Sequence, residues 1–279
     1  MYKIIQKKVL NPTVTLMEIE APLVARKAEP GQFIILRVDD NGERIPLTVA
    51  DYNREKGTIT IILQIVGATT YKLNLKNEGD YLLDFVGPLG KATDLDGLKK
   101  ICIVSGGVGS AIAYPIAKKA HELNIEVTSI VGFRNKDLVI LENEFKNASN
   151  HFYMMSDDGS AGEKGLVTDK LKEIINKGEH FDKVITIGPL VMMKYVSLLT
   201  KEYDIPTIVS MNPIMIDGTG MCGGCRLTVG GVNKFACVDG PDFDGHEVDF
   251  DEAIDRSTMY KDYERQAYDD ACNLFKKGA

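Results

Sequence analysis

The chain has 279 residues, long enough for about two domains, and its 44% hydrophobic and 26% charged residues are those of an ordinary globular protein. Thirty-three basic against 40 acidic side chains leave a net charge of −7. That balance argues against a broad nucleic-acid surface and for small-molecule or protein partners. No apolar run approaches the ~18 residues of a membrane span, and the opening Met1–Lys7 lacks the apolar core of a signal peptide. A cytoplasmic location is the expectation.

The first part, residues 1–97, carries the pattern of short β-strands. Strands are expected at Val14–Glu20, Phe33–Val38, Pro46–Ala50 and Thr58–Val66, divided by turns at Pro30-Gly31 and Asp39–Gly42. Such spacing suggests an antiparallel barrel or sandwich. Arg44-Ile45-Pro46-Leu47-Thr48 opens one strand, and Val66-Gly67-Ala68-Thr69-Thr70 follows the next. Composition alone makes both of them turns at a barrel edge.

From about Leu98 to Ser210 the period changes. Ile101–Val104 is a short apolar run, Ala111–Leu123 is helical despite Pro115, and strands are expected at Glu126–Gly132, His151–Met155 and Val184–Ile187. Helices at Val167–Ile175 and Met192–Glu202 lie between them. Strands alternating with helices predict a parallel sheet, whose buried strands are continuous apolar runs. The turn Ser105-Gly106-Gly107-Val108-Gly109 joins a strand to a helix, where backbone amides can receive a pyrophosphate. It is short of a full G-x-G-x-x-G, and a plain tight turn is the alternative. Asp157-Asp158-Gly159 and Gly188-Pro189 end two further strands at the sheet edge where ligands bind in such folds. Arg134, after the second strand, suits the 2′-phosphate of NADP or is a solvated surface charge.

Residues 211–248 hold the most specific signal. Three of the five cysteines fall there, in the pattern Asp217-x4-Cys222-x2-Cys225-x11-Cys237 with Gly218, Gly220, Gly223 and Gly224 in the loop. Plant-type [2Fe–2S] sites use Cys-x4-Cys-x2-Cys and a more distant Cys, so Asp217 stands where the first thiolate would be. Glycines let a short loop converge on a small inorganic core. A structural zinc site of three thiolates and a carboxylate is the alternative. Cys102 sits in an apolar strand as core, and Cys272 lies in a charged tail, 249–279, expected as an exposed helix or a docking arm. The four histidines are scattered without metal spacing.

Together these segments resemble the ferredoxin–NADP reductase superfamily, in the branch of the dihydroorotate dehydrogenase electron-transfer subunit. The resemblance implies an N-terminal FAD-binding barrel, a nucleotide-binding α/β domain and a [2Fe–2S] module. It implies that Arg44, Pro46, Leu47 and Thr48 lie against the flavin, with Ile62, Leu63 and Gln64 running along it and Gly67, Thr69 and Thr70 at its pyrophosphate. It assigns Gly106, Gly107, Gly109, Asp157, Asp158 and Gly159 to NAD(H) or NADP(H), with Arg134, Gly188 and Pro189 the further candidates from their places after strands, and Asp217, Cys222, Cys225 and Cys237 to the cluster. The Asp-for-Cys exchange and the tail are more similar to small subunits of NADH-dependent ferredoxin–NADP oxidoreductases, the electron-bifurcating transhydrogenases. That similarity implies a large FAD and [4Fe–4S] partner subunit and, through the complex, ferredoxin. A dihydroorotate dehydrogenase electron-transfer subunit is the other enzyme reading, and a redox-sensing or scaffolding subunit the non-enzymatic one.

Overall fold

The structure is a computed structural model that describes residues 1–277, with side chains as far as Asn273. The N-terminal elements are β1 (Tyr2–Asn11), β2 (Val14–Glu20), α1 (Pro22–Ala25), β3 (Phe33–Arg37), β4 (Arg44–Asn53), β5 (Thr58–Gln64), α2 (Ala68–Leu75), β6 (Tyr81–Leu82) and β7 (Asp84–Leu89). The strands form one antiparallel sheet in the order β6-β1-β2-β5-β4-β3-β7, curled into a nearly closed barrel. Successive side chains of a strand point to opposite faces. Met17, Ile19, Ile34, Leu36, Ile59, Ile61 and Leu63 thereby fill the barrel interior, each at most 1% exposed. Phe33 and Ile35, the alternate residues of β3, face outward and join a different core.

Next come β8 (Lys100–Gly106), α3 (Gly109–Glu122), β9 (Glu126–Phe133), α4 (Glu142–Asn147), β10 (His151–Ser156), β11 (Glu163–Lys164), α5 (Val167–Asn176), β12 (Lys183–Ile187), α6 (Leu190–Glu202) and β13 (Thr207–Ser210). The strands run parallel, in the order β11-β10-β9-β8-β12-β13. β8 shows why its sequence is apolar throughout: Ile101 and Ile103 pack under α3, while Cys102 and Val104 pack under α5 and α6. Both faces are covered, as parallel sheets require. The Cys102 thiol is core, and burial alone pushes its pKa above the ordinary thiol value. Val14, Ala50 and Ile62 of the barrel share the α3 core, and Lys118 of α3 bonds Asp51 of β4 at 2.9 Å, so the two domains pack directly.

The chain then leaves β13 for a glycine-rich loop and the hairpin β14 (Arg226–Val229) and β15 (Val232–Phe235). It returns as β16 (Asp242–Asp244), which pairs antiparallel with β13 and completes the edge of the second sheet. Two helices follow, α7 (Phe250–Arg256) and α8 (Lys261–Lys277). α7 is capped by the Asp249 carboxylate, which accepts from Glu252 N–H at 2.9 Å, and buries Phe250 in the module. α8 lies along α2 of the barrel domain, with the Tyr71 and Tyr268 rings edge-on at 5.8 Å. The tail therefore folds back on the chain's own first domain. Among the described residues no helix is long and apolar enough to cross a membrane.

The three parts meet at Asp242. Its carboxylate accepts from Thr93 Oγ1 at 2.6 Å, on the segment between barrel and sheet, and also bonds the Ser210 side chain of β13. Its other oxygen is buried without a partner. Burial pushes this carboxyl up to about 6, against the partial relief that the Thr93 and Ser210 hydrogen bonds give.

Candidate functional site

The flavin-type residues converge on one side of the barrel. Ile45 and Leu47 pack toward the barrel core, so by strand alternation Arg44, Pro46 and Thr48 present to the opposite face. In the β3–β4 ladder Pro46 stands opposite Ile35 and Thr48 opposite Phe33. After β5 the chain turns at Val66 into α2, whose first turn carries the second segment. Gly67–Thr70 is thus a helix N-terminus instead of the barrel-edge turn that composition suggests. Thr70 makes the difference: its Oγ1 accepts from the Val66 and Gly67 N–H groups at 3.0 Å and ties the entry to the helix. Thr69 Oγ1 donates to Glu43 Oε2 at 2.7 Å, which joins α2 to the start of β4 next to Arg44. Glu43 has no signal in the sequence beyond its place before Arg44. Leu63 turns into the barrel core, Ile62 sits in the interface with α3, and Gln64 is half-buried beyond them.

The nucleotide-type residues gather at the C-terminal ends of β8, β9, β10 and β12. The chain moves from β8 outward to β9 and β10, then returns to β12 on the other side of β8, which makes the β8–β12 crevice the switch point where such sheets bind ligands. Both glycine turns lie there. A Cβ on Gly109 would stand 2.5 Å from the Ile187 carbonyl oxygen and 2.7 Å from Gly188 Cα, so the first turn of α3 can approach β12 only as glycine. Gly107 has φ of +56° and open space around it. Gly106 and Gly188 are in close approach, with Pro189 opening α6 beside them. Asp157 N–H bonds the Phe133 carbonyl at 3.1 Å, and Asp158 holds Ser160, whose Oγ accepts from Lys136 N–H at 2.8 Å. Those bonds tie Asp157–Gly159 to the loop bearing Arg134, which is exposed.

The cluster-type residues form two pairs. Cys225 and Cys237 are buried with their sulfurs 3.2 Å apart. Burial, aided by the Cys225 thiol, pushes Cys237 up to about 12. Two thiolates at that separation repel unless a cation lies against both. The other pair is Asp217 and Cys222: the carboxylate accepts from Cys222 N–H at 2.7 Å and from Thr219 N–H. These bonds, the Thr219 one foremost, hold the Asp217 carboxyl down at about 2, so it is ionised at neutral pH. Among the described residues no three His, Cys, Asp or Glu side chains converge on one metal position. Two pairs of donors, three from the loop and Cys237 from beyond the β14–β15 hairpin, suit a two-iron core, in which each iron takes two protein ligands. Gly218, Gly220 and Gly223 all have positive φ, the backbone that folds the loop this tightly. Sequence reasoning missed the cations on this loop: Arg226 and Arg256 donate to the Gly223 and Gly224 carbonyls at 3.5 and 3.3 Å.

The cluster loop sits on the flavin-type face. A Cβ on Gly218 would lie 2.7 Å from Ile35 Cδ1 and 2.8 Å from Leu89 Cδ1. Ile35 is the cross-strand neighbour of Pro46, and adjacent strands are about 4.8 Å apart. The backbone between Asp217 and Cys222 thus rests on a side chain of β3, the strand paired with the Arg44–Thr48 segment.

Comparison with known proteins agrees with this layout. Residues 212–249 match the family described as the iron–sulfur cluster binding domain of dihydroorotate dehydrogenase B. The chain is 54% identical to an uncharacterized protein of the adh 3′ region of Clostridium beijerinckii, over 96% of this chain and 93% of that protein. It is 47% identical to the dihydroorotate dehydrogenase B (NAD(+)) electron transfer subunit homolog of Thermotoga maritima, over 90% of this chain and 88% of that protein. Among solved structures it superposes with a TM-score of 0.92 and 43% identity on a chain of the NADH-dependent reduced ferredoxin–NADP oxidoreductase, a structure that gives insights into flavin-based electron bifurcation, covering 96% of this chain and 97% of the other. A ferredoxin reductase of carbazole 1,9a-dioxygenase, at 16% identity and a TM-score of 0.61 over 74% of this chain and 65% of the other, shares the fold. At these identities and coverages, the chain belongs to the family of dihydroorotate dehydrogenase B-type electron transfer subunits, which includes the corresponding chain of NADH-dependent ferredoxin–NADP oxidoreductase.

Proposed function

We propose that the protein is the NAD(H)-handling, FAD- and [2Fe–2S]-binding subunit of a ferredoxin–NADP oxidoreductase-type complex. The observation that supports this reading is the packing of the Gly218 backbone on the Ile35 side chain of β3, the strand paired with the Arg44–Thr48 segment. When bound, FAD supplies a carrier that mediates between hydride, which moves two electrons, and iron–sulfur centres, which move one. The chain's own residues supply position. Arg44, Pro46 and Thr48 offer one face for the ring, with Leu47 anchoring the strand; Ile62 and Gln64 lie on the outer face of β5, while Leu63 anchors that strand in the barrel core. Gly67, Thr69 and Thr70 present the α2 N-terminus to the pyrophosphate, as helix N-termini do for phosphate groups. Gly106, Gly107, Gly109, Gly188 and Pro189 line the switch-point crevice for NAD(H). Asp157, Asp158 and Gly159, tied to the Arg134 loop, bound its outer end.

Asp217, Cys222, Cys225 and Cys237 hold the iron, with Arg226 and Arg256 pinning the loop by its carbonyls. The carboxylate brings to the site an ionised oxygen already oriented by two backbone N–H groups. The cluster loop also exposes apolar side chains: Met221 is 88% exposed and Ile216 54%. That patch suits a large flavin and [4Fe–4S] partner subunit, and through it ferredoxin.

The test is isolation of the chain without oxygen. It should carry flavin, about two irons and two acid-labile sulfides, and NADH should reduce an artificial acceptor through it. Colourless, zinc-loaded protein would overturn the reading. The match of residues 212–249 keeps a dihydroorotate dehydrogenase partnership as the second reading. Co-purification decides between them, since one partner carries [4Fe–4S] centres and the other is an FMN barrel.

A further inference from the structure

The proposed function leaves the C-terminal helix α8 without a task, although the structure gives it a definite seat. It starts at the elbow after α7, beside the cluster loop, where Met259, Tyr260 and Glu264 line a cavity of about 390 Å³ together with Gly224 and Arg226. Its opening turns, Lys261–Ala267, are exposed. It comes to rest only further on, against α2, where Ala271 is 6% exposed and the Tyr268 ring meets Tyr71 at 83°. Edge-to-face ring pairs of this kind hold elements together beyond the area they bury.

The seat matters because of where Tyr71 sits on α2. Its N–H bonds the Gly67 carbonyl at 2.9 Å, so it stands one turn beyond Gly67 on the same helical face. Side chains in an α-helix lean back toward the N-terminus and cover the turn before their own Cα. Tyr71 therefore lies over the Gly67 end of α2, and α8 lies over Tyr71. The Thr69 and Thr70 hydroxyls are already used, by Glu43 and by the Gly67 carbonyl and the Val66 and Gly67 N–H groups, which fixes the α2 entry from the barrel side. α8 fixes it from the other side.

From this geometry we infer that α8 is a clasp for the cofactor: by seating Tyr268 and Ala271 on α2, it holds the α2 N-terminus in place and slows the loss of FAD from the barrel. The inference rests on the assignment of the α2 N-terminus to the FAD pyrophosphate. It gives the tail an intramolecular role in flavin retention and runs the connection from the cluster module to the flavin site through one helix.

The test compares the full holoprotein with Ala271→Glu, which places a charge in the α2–α8 contact, and with a chain ending at Tyr260. Hydrogen exchange over residues 261–277 reports whether α8 is seated. The appearance of free-flavin fluorescence after dilution reports FAD release, and iron and sulfide content reports the cluster. Ala271→Glu should speed exchange in α8 and raise the FAD release rate by about tenfold, equivalent to about 1.4 kcal/mol, with iron and sulfide unchanged. The shortened chain should show the same or a larger rise. FAD release at the native rate from the shortened chain would overturn the clasp while leaving the flavin assignment intact. A native chain that holds no flavin would overturn both.

Discussion

At the scale of single residues, Asp217 carries the most chemistry. Its carboxylate is ionised and is oriented by the Thr219 and Cys222 N–H groups, on the loop whose other donors are thiols. Asp217→Ala should lose the cluster, read as iron stoichiometry and the EPR signal of the reduced protein. Asp217→Cys should keep the iron with a shifted potential, since a thiolate is a softer donor than a carboxylate. Intact iron in the Ala variant would show that Asp217 only shapes the loop. The pattern Asp-x4-Cys-x2-Cys was legible in the sequence because its residues are local. Asp242 was not, because its meaning depends on Thr93 and Ser210, which are distant in sequence and brought to it only by the fold. With its carboxyl raised to about 6 from an ordinary 3.8, the folded state binds this proton more tightly than the unfolded chain. Stability from this group is therefore undiminished below about pH 4, falls as pH rises to about 6, and stays lowered above that. Asp242→Asn removes the ionisation. Its stability relative to the native chain should improve by up to about 3 kcal/mol between about pH 4 and pH 7, measured by chemical denaturation. A pH-independent difference would show that Asp242 titrates normally.

At the scale of elements, the alternation of strand and helix between Leu98 and Ser210 could be followed from the sequence because buried parallel strands are continuous apolar runs. The expected Ile101–Val104 and Val184–Ile187 are the hearts of β8 and β12. The mixed exposure of β1, whose residues alternate irregularly between half-buried and exposed, gives no such period, and the sequence does not disclose that strand. α2 was hidden for a related reason: only one of its residues besides Thr69, Leu73, is buried, so it shows no apolar stripe. The glycine turn after β8 was visible as a turn, but its purpose depends on β12. Gly109→Ala would drive a methyl group into the Ile187 carbonyl and Gly188 Cα, backbone atoms that cannot swing aside. We expect a loss of about 1–3 kcal/mol in stability and a raised KM for NADH, with flavin and iron content unaltered. An unchanged KM would remove the switch-point crevice from the nucleotide site.

At the scale of the whole molecule, the three parts are ordered so that the barrel's outer face touches both of the others. Ile62 enters the α3 core, while Phe33 and Ile35 enter the core that contains Cys225 and Cys237. Sequence periodicity shows that such residues are apolar, but not which neighbour they meet. Met221, 88% exposed on the loop between Asp217 and Cys222, is where the proposed partner subunit would dock. Met221→Asp should weaken the complex with the large subunit by about tenfold or more, as charges at interface centres do, and leave NADH reduction of an artificial acceptor unchanged. Equal affinity would move the docking surface elsewhere.

The path of the chain into β16 has a consequence for assembly. The strand that finishes the nucleotide sheet is reached only after the polypeptide has passed through the iron-type loop and its hairpin, and it pairs with β13 through Ile208, Val209 and Ser210. The sheet's last edge is thus hostage to the maturation of its neighbour. Cells starved of iron should yield a protein whose Thr207–Ser210 amides exchange faster while those of β8 and β9, deep in the sheet, stay protected.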